Sequence, residues 1–249
     1  MSLGRLLAVS FIKGIFSVLC RVDDAQLARV PSKGPLILVT NHVNFLEVPV
    51  LFSHLSPRPI SAMVKADNWK HFWARKFFEF GHSIPIHRGE IDFEAFRLAK
   101  TALKEDKIVI IAPEGTRSNN GCLQKGKPGI VLLALRSGAP LQPLVYYGGE
   151  KFRENVAHFR PTDFHIVTGT PFRLNPERAN LGREVREKIT SEIMYQLAAL
   201  LPPAYRGYYS DFSQASEDYL LFDRGPSNLQ RAAGSHRLLW TGSVLSGPA

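Results

Sequence analysis

Residues 36–40, LILVT, follow Gly34-Pro35 and lead directly into a turn that carries His42 and then Glu47. A short apolar, β-branched run bounded by a turn signal reads as a buried strand, and residues 47–55 have helical spacing. His42 therefore falls in a strand-to-helix turn, the place where open α/β sheets put their sites. On a continuous helix of about 3.6 residues per turn, positions 42 and 47 would point about 140° apart. The turn lets them meet. With the Glu47 carboxylate on one ring N–H, the other nitrogen of His42 is free to accept a proton, which is the base-plus-orienter half of a serine-hydrolase triad. Residues 41–47, NHVNFLE, contain no serine. The nucleophile is then a hydroxyl brought by the substrate. A His and an acid at this spacing occur by chance in many proteins, so the rest of the chain has to support the reading.

At 249 residues the chain is expected to form one domain with a real core. Sixteen Phe and three Trp are a generous aromatic supply and point to lipid. Lys plus Arg outnumber Asp plus Glu by 31 to 22, a net charge of +9. That balance favours an anionic partner: phospholipid headgroups, phosphorylated metabolites or nucleic acid. Cys20 and Cys122 form no CxxC pair, which suggests neither a disulfide framework nor a zinc site and fits a reducing cytoplasm.

Residues 6–20, LLAVSFIKGIFSVLC, form an apolar run between Arg5 and Arg21. A helix of that length spans about 22 Å, short of the roughly 30 Å hydrocarbon core of a bilayer. No A-x-A cleavage site follows it. Residues 1–22 are thus expected to be an amphipathic, membrane-associating helix with snorkelling basic ends. A strand is predicted over 59–64. Beyond it Trp69, Phe72, Trp73, Phe77 and Phe80 recur at helical spacing with Lys70, His71, Arg75 and Lys76 around them. That stripe suits a helix lying among headgroups, with burial in the core as its alternative. Further strands are expected at 84–88, 108–113, 141–147 and 164–168, and helices at 91–104, 129–137 and 182–201. The strand at 108–113 delivers EGTRS, residues 114–118, into a loop. The extension over 206–249 follows the domain at 23–205, and beyond residue 223 it lacks periodicity and is expected to be disordered. The fold class is a single-domain α/β structure, its central sheet flanked by helices.

Two patterns are decoys. GCLQKGK, residues 121–127, begins like a phosphate loop, but Pro128 stands where a Ser or Thr should meet Mg²⁺. Aromatic and basic residues interleave from 65 to 88 without any recognition-helix, zinc-finger or RNA-binding-sheet signature, so no nucleic-acid partner is expected.

With HVNFLE, IPIHRG, PEGTRS and LQPLVYY in that order, the chain resembles the 1-acyl-glycerol-3-phosphate acyltransferases, membrane-bound enzymes of phospholipid synthesis. The match covers about residues 31–170. The resemblance implies a mixed, mostly parallel sheet, His42 as base with Glu47 as its carboxylate, and Arg88, Glu114, Gly115, Thr116 and Arg117 for the acceptor's phosphate. It also implies Pro143 in a motif that shapes the acyl site. It implies no cofactor or metal, acyl-CoA or acyl carrier protein as co-substrate, and a peripheral position on the cytoplasmic face of a membrane. Glu47 departs from the family's Asp by one carbon, about 1.5 Å, and displacements of about an ångström cost roughly 10²-fold in rate. Glu114, an anion beside a phosphate site, is expected to pair with an Arg or to bond a glycerol hydroxyl.

The chemistry of the residues agrees. Acyl transfer from a thioester to an alcohol needs a base, cations for the acceptor's phosphate and donors for the oxyanion. Planar guanidinium groups such as those of Arg88 and Arg117 bind two phosphate oxygens at once. The expected function is transfer of a fatty acyl group to lysophosphatidic acid, giving phosphatidic acid. Another lyso-lipid acceptor is the near alternative, and a non-catalytic protein that binds anionic lipid is the alternative from another class.

Overall fold

A computed structural model describes residues 3–87, 92–177, 182–223 and 225–233. Helix α1 (Leu3–Leu19) turns into strand β1 (Cys20–Asp23), followed by β2 (Leu36–Thr40), α2 (Glu47–His54), β3 (Ile60–Lys65), α3 (Phe72–Phe80) and β4 (Ile84–Ile86). Next come α4 (Phe93–Lys104), β5 (Ile108–Ile111), α5 (Gly129–Ser137), β6 (Leu141–Tyr147), α6 (Phe152–Ala157) and β7 (Thr162–Thr168). Then follow β8 (Arg173–Leu174), α7 (Arg183–Ala198) and β9 (Leu220–Leu221).

Seven strands form one sheet in the order β1-β7-β6-β2-β5-β3-β4. Every pairing is parallel except β6 with β7, so β1 and β7 run against the other five. The expected mixed, mostly parallel sheet is what forms. Its centre is β2, flanked by β5 and β6 and apolar because helices cover both faces. Successive side chains of a strand point to opposite faces. Leu36 and Leu38 accordingly join Val9, Phe16 and Leu51 of α1 and α2, while Ile37 and Val39 join Ala99, Val131 and Ile193 of α4, α5 and α7. Helix α5 ends at Gly138, whose φ of 63° supplies a left-handed cap that a side chain would disfavour.

The sheet directions bring the carboxyl ends of β2, β3, β5 and β6 to one edge, and β1 and β7 begin there. Helix α1 therefore finishes at the same edge. It packs on α2 through Val9 and Phe16, whereas Leu3, Leu7, Phe11 and Val18 are exposed. No residue of α3 is fully buried: Phe77 leans on Phe52, but Phe72 and Trp73 face outward, Trp73 at 82% exposure. The aromatic stripe is thus divided: Phe77 and Phe80 lean on the core at Phe52, while Phe72 and Trp73 are open on the surface. Among the described residues no helix is long and apolar enough to cross a membrane.

The extension differs from expectation. Residues 225–233 are placed on the domain because Asn228 is buried and bonded: it accepts from Thr170 N at 2.9 Å and donates to Gln196 Oε1 at 3.1 Å. Isolated polar anchors of this kind carry no periodicity. The remainder of the predicted disordered tail lies outside the described residues.

Candidate active site

Strand β2 runs out at Thr40, and the next residue takes over its hydrogen bonding with a side chain. Asn41 Nδ2 donates to the Tyr146 carbonyl at 2.8 Å, and Tyr146 N donates to Asn41 Oδ1 at 2.8 Å. The buried amide extends the β2–β6 ladder by one step and frees the backbone to turn. Asn41→Ala is expected to cost about 2–4 kcal/mol, because it strands a buried N–H and a buried carbonyl together. A urea unfolding curve that moves by less than about 1 kcal/mol would contradict this account.

In the turn that follows, His42 Nδ1 lies 2.9 Å from Glu47 Oε2. The other carboxylate oxygen, Oε1, accepts from Val43 N at 2.9 Å and Asn44 N at 2.6 Å. Glu47 opens α2 and is 4% exposed. It is held on one side by the backbone of the turn and on the other by the imidazole, so its orientation is fixed. The longer arm of the glutamate reaches the imidazole and the turn's N–H groups together. A carboxylate on Nδ1 makes that nitrogen the protonated one and leaves Nε2 as the acceptor.

The second cluster meets the first through main-chain bonds. His42 N donates to Glu114 Oε1 at 2.7 Å, Gln124 N donates to Glu114 Oε2 at 2.9 Å, and Ser118 N donates to the His42 carbonyl at 2.8 Å. Glu114 is 2% exposed. Among the described residues no arginine pairs with it, and Arg88 lies outside them. Buried between two N–H donors, it bonds the His42 turn to the loop after β5. Burial pushes its carboxyl up to about 7, with the Gln124 and His42 N–H bonds acting the other way and the nearby Glu47 charge adding to the rise.

The remaining predicted residues separate into surface and scaffold. Arg117 is exposed and precedes Ser118, which ties it to the His42 backbone. Gly115 has a φ of 68°, and a Cβ there would sit 3.2 Å from Lys127 Nζ, so the close approach of this cation requires glycine. Thr116 is exposed, and its carbonyl accepts from Gln124 Nε2 at 3.4 Å. Pro143 lies buried within β6, level with Val39. Arg88 lies outside the described residues.

A groove of about 170 Å³ opens beside the turn, lined by Asn44, Phe45, Arg117, Glu150, Phe152 and Arg153 among others. Arg153 carries no motif or spacing that marks it in the sequence. Helix α6, to which it belongs, has six residues, too few for periodicity to declare it, and the β6–α6–β7 topology brings it to the groove that Arg117 also lines. Two guanidinium groups therefore flank a wall with an apolar edge of Phe45 and Phe152, whose rings meet edge to face at 5.8 Å.

An imidazole oriented by a carboxylate, with a cationic groove next to it, fits a class of enzymes that transfer a group to a hydroxyl. The acyltransferase family model matches residues 21–147, and the chain belongs to that family. The chain is 26% identical over 160 residues to the 1-acyl-sn-glycerol-3-phosphate acyltransferase of Bacillus subtilis, an alignment covering 64% of this chain and 78% of that protein. It is 27% identical over 150 residues to the human 1-acyl-sn-glycerol-3-phosphate acyltransferase alpha, covering 59% of this chain and 51% of the relative. Its fold is similar to the crystal structure of the 1-acyl-sn-glycerophosphate (LPA) acyltransferase PlsC from Thermotoga maritima, with a TM-score of 0.54 and 20% identity over 76% of each chain.

Proposed function

We propose that the protein transfers a fatty acyl group from an acyl thioester, acyl-CoA or acyl carrier protein, to the free hydroxyl of lysophosphatidic acid, forming phosphatidic acid. The observation that carries this reading is the 2.9 Å His42–Glu47 dyad, bonded through its own backbone to the loop that presents Arg117 to the groove. His42 Nε2 takes the proton as the acceptor hydroxyl attacks the thioester carbonyl, and returns it to the departing thiolate. Arg117 and Arg153 bind the acceptor's phosphate and fix its hydroxyl within reach of the imidazole. The names of the relatives agree with this substrate.

The acceptor is drawn from the cytoplasmic leaflet of a membrane. The exposed Leu3, Leu7, Phe11 and Val18 of α1 and the exposed Phe72 and Trp73 of α3 support a peripheral docking face, and the net charge of +9 adds attraction to anionic headgroups.

The test is release of free thiol from acyl-CoA in the presence of lysophosphatidic acid, beside a panel of other lyso-lipids that includes a phosphate-free one. A preference for the phosphate-free acceptor, or liposome binding without thiol release, would defeat the proposal. Within the same assay, Arg117→Ala is expected to raise the acceptor KM by about tenfold or more with a smaller change in kcat, the loss of one charge-assisted contact to phosphate. Arg117→Lys should recover part of it, because a point charge replaces a two-pronged donor.

A further inference from the structure

Among the described residues Glu150 is the only carboxylate lining the groove that carries Arg117 and Arg153. An anion in that position competes with a phosphate for the same guanidinium groups. Its carboxylate is held by a tyrosine, and among the described residues no ion pair joins it to Arg117 or Arg153. Tyr205 Oη donates to Glu150 Oε1 at 2.8 Å, and Glu150 Oε2 is buried without a hydrogen-bond partner. Gly121 provides the room: its φ is 80°, and a Cβ there would lie 2.9 Å from the Tyr205 ring and 3.5 Å from Glu150 Oε2. Tyr205 is itself fixed, since its carbonyl accepts from Leu123 N at 3.0 Å and its ring lies 5.6 Å from that of Tyr147. This clamp comes from the segment after α7, beyond the residues that the family model matches. Leaving a carboxylate oxygen buried and unpaired is unfavourable, so without the tyrosine hydroxyl the side chain has every reason to swing toward a guanidinium.

We infer that Tyr205 is a positioning residue that holds the Glu150 carboxylate away from Arg117 and Arg153 and thereby keeps the groove receptive to a phosphate. The inference rests on the phosphate-acceptor reading given above. It makes the tyrosine a determinant of acceptor affinity without contact with the acceptor.

The variant that isolates the hydroxyl is Tyr205→Phe, which keeps the ring packing. Glycerol 3-phosphate is titrated calorimetrically into the full chain, and thiol release with lysophosphatidic acid is measured in parallel. In Tyr205→Phe the glycerol 3-phosphate Kd and the acceptor KM are expected to rise together by about threefold to tenfold, the size of one partly exposed ion pair, while kcat moves less than about twofold. The double variant Tyr205→Phe/Glu150→Gln should bring both back to the wild-type values, since no anion remains to compete. A rise that persists in the double variant, or unchanged affinity in the single one, overturns the inference, as does failure of the wild-type protein to bind glycerol 3-phosphate. The titration needs no acyl donor. Tyrosine-dependent binding in a protein that releases no thiol therefore supports the clamp while the acyl-transfer reading falls, and thiol release with no dependence on Tyr205 removes the clamp alone.

Discussion

Replacing His42 with alanine is expected to lower kcat for thiol release by at least about 10³-fold while the acceptor KM stays within a few-fold of the wild-type value. The reasoning follows the bonds. Only the imidazole can take a proton at the point where the turn presents it, and a positioned general base contributes typically about 10²–10⁴-fold, more where it acts as a unit with an orienting carboxylate. What holds the turn in shape is independent of that ring: His42 N still donates to Glu114, Ser118 N still donates to the residue-42 carbonyl, and Glu47 Oε1 keeps its bonds to Val43 N and Asn44 N. Arg117, one residue from Ser118, should therefore stay where it is, and binding should survive. The one group left short is Glu47 Oε2, which costs about 1–3 kcal/mol. A melting curve run beside the kinetics checks that the variant is folded. Turnover retained in a folded His42→Ala protein would exclude the dyad as the base.

The same bonds explain which parts of this site are legible in the sequence. The strand at residues 36–40 and the helix beginning at Glu47 coincide with β2 and α2, because a buried parallel strand is apolar on both faces and a helix start with a carboxylate has a clear spacing. The meeting of His42 with Glu47 follows from placing the turn. What the residues conceal depends on burial and on topology. Glu114 reads as a charged loop residue, and nothing in its neighbours says that its oxygens take two main-chain N–H groups. Strand β1 begins at Cys20, inside the apolar run that α1 starts, so composition offers no boundary between them. Arg153 reaches the groove because β6 and β7 are joined through a short helix at the site edge. A six-residue element has no periodicity to detect, and the cation that shares the groove with Arg117 therefore has no local signal.

The choice between glutamate, aspartate and glutamine at position 47 tests the dyad at a finer level than removal of the histidine. In Glu47→Gln the side-chain oxygen is expected to stay on Val43 N and Asn44 N, since those two donors can be met only by an acceptor. The amide NH₂ then faces His42 Nδ1 and donates to it, which makes Nδ1 the acceptor and places the ring proton on Nε2. The nitrogen that should receive the substrate's proton already carries one. Loss of the correct tautomer, together with loss of the anion that steadies the imidazolium, predicts a fall in kcat of about 10⁴-fold, the scale seen when the triad acid of a serine protease is made neutral. Acceptor KM should change little, because neither atom reaches the groove. Glu47→Asp keeps the charge and shortens the arm by about 1.5 Å, so it can serve the backbone N–H groups or the imidazole but not both without moving the turn. Its expected loss is smaller, about 10–10²-fold. The diagnostic measurement is the ¹⁵N shift pattern of the His42 ring at alkaline pH: the wild type and Glu47→Asp should show the proton on Nδ1, and Glu47→Gln should show it on Nε2. An unchanged tautomer in Glu47→Gln, or equal activity for all three proteins, would mean that the 2.9 Å contact holds the turn together without setting the chemistry of the histidine.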